Sequence, residues 1–361
     1  MQTGTRPKRR IAVLFGGRSP EHDVSILSAT NVMRALDPAA YDAVPVFVTR
    51  EGAWRLARFD GSALETPVAG TQIALIPGGG GRLVAIDEAA SGDRTYRDLP
   101  AIDLLFPVLH GLHGEDGSIQ GLAEVARVPL VGCGMTGSVT VIDKDLAKRL
   151  LRDAGLPVAR ALVIRSGDTP SFPDVQRTLG LPLFVKPARQ GSSFGVSKVT
   201  CESEYEAALA EGFRHDIKLL AEEFVEGREI ECAVLQRPDG ELFVSRPGEI
   251  APAASHGFYS FEAKYIDADG AAVIVPAQLP AEVEDALRAM SAAAFEATGC
   301  DAMARVDFFL KPDMSVVINE LNTIPGFTDI SMYAKAMAAS GVSYPQVLDA
   351  LVDHALARGG R

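Results

Sequence analysis

Residues 305–322 run Arg305-Val306-Asp307-Phe308-Phe309-Leu310, Lys311-Pro312-Asp313-Met314, then Ser315-Val316-Val317-Ile318-Asn319-Glu320-Leu321-Asn322. This reads as two strands joined by a Pro-Asp turn. Apolar and polar residues alternate in the first strand, so Arg305, Asp307 and Phe309 share one face. If the four-residue turn sets an antiparallel register, Leu310 pairs with Ser315 and Arg305 lies opposite Glu320. Asn322 then falls on the same face as Glu320. That face gathers an Arg, two carboxylates and an amide oxygen. Hard cations take oxygen ligands, and Mg²⁺ shared with phosphates uses only one or two protein carboxylates. An edge hairpin with a salt-bridged solvent face has the same pattern, so the rest of the chain must decide.

The next signal lies upstream, in Phe184-Val185-Lys186-Pro187-Ala188-Arg189-Gln190-Gly191-Ser192-Ser193-Phe194-Gly195-Val196-Ser197. A strand ends in a Lys, and a Gly/Ser loop leads into another strand. Such a loop presents successive N–H groups and hydroxyls to phosphate oxygens, and Lys186 adds a point charge at its base. The strand Leu219–Phe224 then leaves into the acidic turn Val225-Glu226-Gly227-Arg228-Glu229. Such an exit can offer backbone groups to an adenine edge and carboxylates to ribose hydroxyls. In this order, glycine loop, acidic exit and distal Asp…Glu-x-Asn describe an ATP site between two α+β lobes. Asp307, Glu320 and Asn322 would hold Mg²⁺.

The N-terminal third reads differently. Ile11–Phe15 is a short apolar run ending in Gly16-Gly17, as a buried parallel strand would be. Val24–Leu36 has helical periodicity and Tyr41–Thr49 is a second strand, completing a βαβ unit. Residues 51–99 look like an elaboration, a hairpin around Gly78–Gly81. Ile102–Leu109 is another buried strand, followed by His110-Gly111-Leu112-His113-Gly114-Glu115-Asp116-Gly117. The glycines of that loop favour a ligand-lining role over a transition-metal cluster. Pro129–Val131 reads as a strand and Ser138–Ala154 as one Lys-rich helix. In such open α/β sheets ligands bind at strand C-termini. Val158–Ile164 opens the middle α+β region, and Val283–Thr298 is a strong amphipathic helix stopped by Gly299.

Gly132-Cys133-Gly134-Met135-Thr136-Gly137 fits a dinucleotide fingerprint, but the next strand carries no acid at its end. A tight interdomain turn is the simpler reading. No P-loop motif occurs. The 361 residues suit two or three domains. A net charge of −12 argues against a nucleic-acid binder. Four scattered cysteines imply a reduced setting without disulfides. No segment reads as a signal peptide or a membrane span.

Taken together the chain resembles the D-alanine–D-alanine ligase family of the ATP-grasp superfamily, its longer-chain type. The resemblance runs from Ile11 to about Arg358. It rests on residues 14–25, 109–121, 143–148, 185–199, 261–265, 304–309 and 319–328. It implies a three-domain ATP-grasp architecture: an N-terminal open parallel α/β sheet (1–132, enlarged at 51–99), a central lobe (133–225) and a C-terminal catalytic lobe (226–361). The implied reaction converts ATP and two D-alanines into D-alanyl-D-alanine, ADP and phosphate through a D-alanyl phosphate, supplying peptidoglycan synthesis.

The resemblance also assigns roles. Glu21 would take the ammonium of the first D-alanine and His110 would lie near its carboxylate. Ser192 would bond Tyr265, so that Glu21, Ser192 and Tyr265 tie three domains together when the loops close. Lys264 and Ser331, with Met332, would hold the second D-alanine. Lys144 and Lys186 would meet the phosphates and Glu222 and Glu229 the adenosine, with Ser193, Glu223 and Val225 also binding ATP. Arg305 and the N–H of Gly326 would face the oxyanion, and Asp307, Glu320 and Asn322 would hold two Mg²⁺ (or Mn²⁺). Activation by K⁺, a homodimer and a cytoplasmic location are family expectations. Phe261-Glu262-Ala263-Lys264-Tyr265 is the dipeptide-forming pattern, against the D-alanyl-D-lactate alternative. Three other readings compete: a carboxylate–amine ligase of different specificity, a nucleotide-binding module without turnover, and a dehydrogenase.

Overall fold

The computed structural model describes residues 8–88, 92–192, 194–252, 271–328 and 331–359. The first sheet begins with β1 (Arg9–Gly16), α1 (His22–Ala35) and β2 (Tyr41–Val48). It continues through β3 (Trp54–Leu56), β4 (Gln72–Leu75), β5 (Leu83–Glu88), β6 (Arg94–Leu99) and β7 (Leu104–Pro107). The strand order is β6-β5-β4-β3-β2-β1-β7. β1 pairs in parallel with β2 and β7, Ile11 lying between Ala43 and Leu104. Residues 11–15 of β1 are almost wholly buried, as a strand covered on both faces requires. The loops after β1 and β7 therefore open side by side at one sheet edge.

Residues 51–99 do contain the expected hairpin, β4 with β5. They also add β3 and β6, so four antiparallel strands extend the parallel part of the sheet. The sheet is thus mixed rather than purely parallel. Pro129–Val131 contributes only a bridge from Leu130 to Leu105, after α2 (Ser118–Ala126).

The single helix expected over Ser138–Ala154 is two helices, α3 (Met135–Ile142) and α4 (Lys144–Asp153). Asp143 breaks it. Its backbone is extended, and its side chain accepts from the N–H groups of Asp145 and Leu146, capping α4. The fingerprint-like turn becomes the entry to α3, where Gly137 packs on Gly299 and Cys300 so closely that a Cβ would lie 2.7 Å from the Cys300 Cα.

The second sheet has the order β10-β9-β11-β8. It is built from β8 (Ala161–Arg165), β9 (Leu183–Pro187), β10 (Ser197–Val199) and β11 (Lys218–Glu223), with α5 (Phe172–Leu179) and α6 (Glu202–Gly212) on its apolar face. β8 starts later than the expected Val158, which instead bridges to Ile318.

The third sheet contains β12 (Arg228–Gln236), β13 (Leu242–Val244), β14 (Gly248–Pro252), β15 (Ala271–Ile274), β16 (Met303–Leu310) and β17 (Val316–Asn322). Its order is β15-β14-β12-β16-β17, with β13 beside β12. Helix α7 (Ala281–Ala297) covers one face, packing Leu287 and Phe295 against Ile230, Cys232, Val306 and Phe308. On the other face Ala233, Leu235 and Met303 join α8 (Met332–Ala339) and α9 (Tyr344–Gly359) in a core shared with β1 and α1.

The decisive hairpin forms, but its register differs from the four-residue expectation. Leu310 pairs with Val316, not Ser315, because the connection spans Lys311–Ser315, with Met314 in the left-handed region at φ 66°. A further shift falls between Asp307 and Phe308: Asp307 pairs with Glu320, but Phe308 pairs with Ile318. Asn319 is the extra residue of a β-bulge. Arg305 consequently faces Asn322, and Asp307, not Arg305, faces Glu320. The bulge lets Ile318 stay in the core while Glu320 and Asn322 turn to the polar face. Without it, residues two apart would share a face.

Candidate active site

The polar face of the third sheet carries a row of carboxylates. Glu231 on β12 pairs with Asp307 on β16, which pairs with Glu320 on β17. Directly paired residues on adjacent strands have Cβ atoms roughly 5 Å apart, so cations must separate them. Arg305 does this. Its Nε donates to Asp307 Oδ1 at 2.7 Å and its terminal nitrogen to Oδ2 at 2.7 Å, while Nε lies 2.9 Å from Glu231. Burial works against the guanidinium charge, but Asp307, Glu231 and Glu320 outweigh it and raise the Arg305 pKa further. Asn322 donates its amide to Asp307 at 2.9 Å, and Lys144 Nζ lies 3.2 Å from Glu320.

Asp307, Glu320 and Asn322 are therefore together, as expected. Among the described residues no three His, Cys, Asp or Glu side chains converge closely enough to enclose an ion. Arg305 and Lys144 stand where positive charge is needed. The donor set suits a hard divalent cation, because two carboxylates and an amide share one polar, largely buried face.

The lysines come from two elements. Lys144 opens α4; its N–H donates to Ala188 O and its Nζ to Gln190 O at 2.8 Å, joining α4 to the glycine loop. Lys186, next to last in β9, has only 9 % exposure, and its Nζ donates to Glu222 at 2.7 Å. Lys148, one turn beyond Lys144, lies 2.8 Å from the other oxygen of Glu222. Burial alone would raise Glu222; Lys148 and Lys186 outweigh it and hold the carboxyl below its ordinary value. Burial lowers Lys148, offset by Glu222. Glu222 is thus clamped between lysines. Glu223 closes on Arg160, accepting from its N–H and its Nε, so the carboxylate is already committed. Val225 and Glu229 are half-buried near the same exit.

The loops after β1 and β7 meet at Glu21. Its carboxylate accepts from the Ser192 hydroxyl of the glycine loop. Two glycines make room for it. A Cβ on Gly111, at φ +73°, would lie 2.8 Å from Glu21 Oε2, and one on Gly191 3.0 Å away. Ser19 ties the loops together, donating to His110 O at 2.6 Å.

His110 is buried. Its Nδ1 meets Ile324 O at 3.0 Å, so that nitrogen carries the proton, and its Nε2 meets Ser28 Oγ at 3.0 Å. Ser28 also accepts from Phe327 N–H at 3.4 Å. Burial, with help from Arg305, lowers the His110 pKa and keeps the ring neutral. Both ring nitrogens are thus engaged by protein, anchoring the turn that carries Gly326. Glu115 accepts from Gly111 N–H at 2.9 Å and Ile324 N–H at 3.4 Å; burial and the nearby Glu21 charge push its carboxyl up to about 8.

Gly326 is half-buried between Pro325 and Phe327. Ser331 donates to Thr328 O at 2.7 Å at the start of α8. Met332 is buried, its thioether filling the space where Gly248 lacks a side chain, so only its backbone at the helix start can meet a ligand. Ser193, Lys264 and Tyr265 lie outside the described residues. Sequence reasoning missed Lys148, Ser28 and Glu231, and placed Glu115 only within a ligand-lining loop. Two had a signal: Lys148 follows Lys144 by four residues and Glu231 follows Glu229 by two, each spacing placing the pair on one face.

Family models described as the D-ala D-ala ligase N-terminus and C-terminus match residues 10–133 and 150–353. The D-alanine–D-alanine ligase A of Brucella suis biovar 1 is 59% identical over 352 residues, covering 98% of this chain and 99% of that protein. The structure of the D-alanine–D-alanine ligase from Coxiella burnetii superposes with a TM-score of 0.83 at 35% identity, covering 98% and 96% of the two chains. The VanG D-Ala:D-Ser ligase of Enterococcus faecalis superposes with a TM-score of 0.82 at 33% identity, covering 96% and 99%. With its glycine loop, clamped lysines and carboxylate row carried on this fold, the chain belongs to the D-alanine–D-alanine ligase family of ATP-dependent, ADP-forming ligases within the ATP-grasp superfamily.

Proposed function

We propose that these residues make D-alanyl-D-alanine in two steps, with an amine as the second nucleophile. The carboxylate of the first D-alanine, its ammonium on Glu21, attacks the γ-phosphorus of ATP. ADP leaves and a D-alanyl phosphate forms. The amine of the second D-alanine then attacks the carbonyl carbon, and phosphate departs. Lys144 and Lys186 hold the phosphates, while Glu222, Val225 and Glu229 line the nucleoside side. Glu223 serves through its backbone. Arg305 and the N–H of Gly326 face the oxyanion, and Ser331 and the start of α8 hold the second carboxylate, together with Lys264. His110 positions the turn of Gly326 instead of contacting substrate. Asp307, Glu320 and Asn322 hold two Mg²⁺ (or Mn²⁺), which neutralise phosphate charge when bound.

The observation that carries this reading is the Lys144–Glu320 contact at 3.2 Å. A phosphate-side cation and a metal-side carboxylate meet there, at the point where nucleotide and ion must share a boundary. Phosphoryl transfer asks the protein mainly for positioning and charge neutralisation. The Ser192–Glu21 bond supports loop closure over the acyl phosphate, with Tyr265 completing the tie, and closure excludes water. The same reading divides the chain at 132 and 225. It includes a homodimer in the cytoplasm and K⁺ activation. Among the described residues no helix is long and apolar enough to cross a membrane.

The test is ADP release with ATP, Mg²⁺ and D-alanine, run beside D-lactate and D-serine as second substrates. Release that needs a second D-alanine, and falls at least a hundredfold in Glu320→Gln, supports the reading. Release sustained by D-lactate in place of a second D-alanine overturns the amine assignment; an unchanged Glu320→Gln rate overturns the metal assignment.

A further inference from the structure

Glu231 has no place in the roles above, yet it stands in the middle of the site. It is 6 % exposed, it pairs directly with Asp307 across β12 and β16, and it lies 2.9 Å from Arg305 Nε. Arg305 is meanwhile bonded through two nitrogens to Asp307, the residue assigned to the metal. These two assignments compete. A carboxylate that gives both oxygens to a guanidinium has little left for a divalent cation, and the guanidinium beside it repels that cation. For Asp307 to turn to Mg²⁺, Arg305 must move off it. A buried guanidinium cannot move to nothing, because an uncompensated buried charge is strongly destabilising. The only carboxylate within ion-pair distance of Arg305 other than Asp307, among the described residues, is Glu231.

We propose that Glu231 is a positioning residue that takes over Arg305 when Asp307 binds the divalent cation. It thereby lowers the cost of loading the metal and leaves the guanidinium on the sheet face, aimed at the reacting carbonyl. The transfer is short, because the Nε that bonds Asp307 already lies beside Glu231. Direction comes from the strands: Glu231 and Glu320 flank Asp307 on opposite sides. Arg305 can lean to the β12 side while the ion takes the β17 side, where Glu320 and Asn322 wait. Glu231 is thus a partner of the arginine and not a third metal ligand.

The inference rests on Asp307 being a metal ligand, and the experiment separates the two. Mn²⁺ binding to the full chain with ADP is measured by electron paramagnetic resonance of the free ion. Asp307→Asn must abolish binding; if it does not, the metal assignment itself falls. Given that it does, Glu231→Gln should weaken Mn²⁺ about tenfold, the low end for losing a partner that supports a metal ligand, and its ligase activity should recover at high Mg²⁺. In an Arg305→Gln background the same Glu231→Gln change should do nothing, because there is no guanidinium left to take over. An unchanged Mn²⁺ affinity in Glu231→Gln overturns the proposal. So does an equal loss in both backgrounds, which a direct ligand or a general charge effect would give. Should Glu231→Gln fail to fold, Glu231→Asp keeps the charge but shortens the reach, and the same cycle applies with a smaller shift.

Discussion

The hydroxyl of Ser192 donates to the carboxylate of Glu21 although 171 positions separate them in sequence. The bond joins the glycine loop of the central lobe to the loop after β1. Glu21 has a second neighbour in Gly191 of the same loop, so the contact is enforced by shape as well as by the hydrogen bond. Ser192→Ala should therefore leave the fold intact and weaken use of the first D-alanine. Removing a hydrogen bond to a charged group costs about 1.5–3 kcal/mol, roughly 10- to 100-fold in kcat/KM. Steady-state kinetics against D-alanine, with a melting curve as control, check this.

Gly111→Ala should be worse than Gly191→Ala. At Gly111 a side chain meets two obstacles: the left-handed backbone and Glu21 Oε2 at 2.8 Å. The first costs about 1–2 kcal/mol of stability, and the second displaces the carboxylate. Gly191 faces only Glu21, at 3.0 Å. The expected result is a lowered melting temperature for Gly111→Ala alone, and a raised KM for D-alanine in both.

Lys148→Met removes half of the clamp on a buried carboxylate. Lys186 remains on Glu222, so the loss should sit near the low end for breaking a buried pair, about 3 kcal/mol. Urea denaturation of the variant measures it. ATP binding should weaken as well, because Lys186 then has to neutralise Glu222 alone.

Glu115 gives a pH dependence of definite sign. Its folded carboxyl is raised to about 8 from an ordinary 4.5. Between those values the folded chain holds a proton that the unfolded chain has released. Stability from this group is fully present below about 4.5 and is lost as pH rises towards 8. Denaturation midpoints at pH 5.5 and 8.5 should show a fall in the wild-type protein that Glu115→Gln lacks. An equal fall in both would assign the slope to another group.

Much of the architecture was legible because strong local signals carry it. The apolar run before Gly16-Gly17, the Lys-led glycine loop and the amphipathic α7 each appear where their patterns placed them. What failed was phase. The hairpin turn is longer than assumed, and no glycine or other turn residue beside Asn319 marks the bulge there. The break at Asp143 was readable as a cap, but the helix-compatible residues on either side hid it within one apparent helix.

The site was legible in its residue types and less so in its pairings. Alternation placed Asp307, Glu320 and Asn322 on one face correctly. It could not say that Glu223 is spent on Arg160, that Met332 fills the hollow over Gly248, or that Ile324 and Ser28 occupy both nitrogens of His110. Those outcomes depend on which side chains arrive from other elements, and no periodicity encodes them.

The bulge at Asn319 also makes β17 a strand of changing parity. Even-numbered Ile318 belongs to the core before it, and odd-numbered Leu321 belongs to the core after it. Loss of a single residue at this point would rotate Glu320 and Asn322 into the apolar layer beneath α7 and bring Leu321 out among the charges. The polar face therefore depends on a count of residues as much as on their identities.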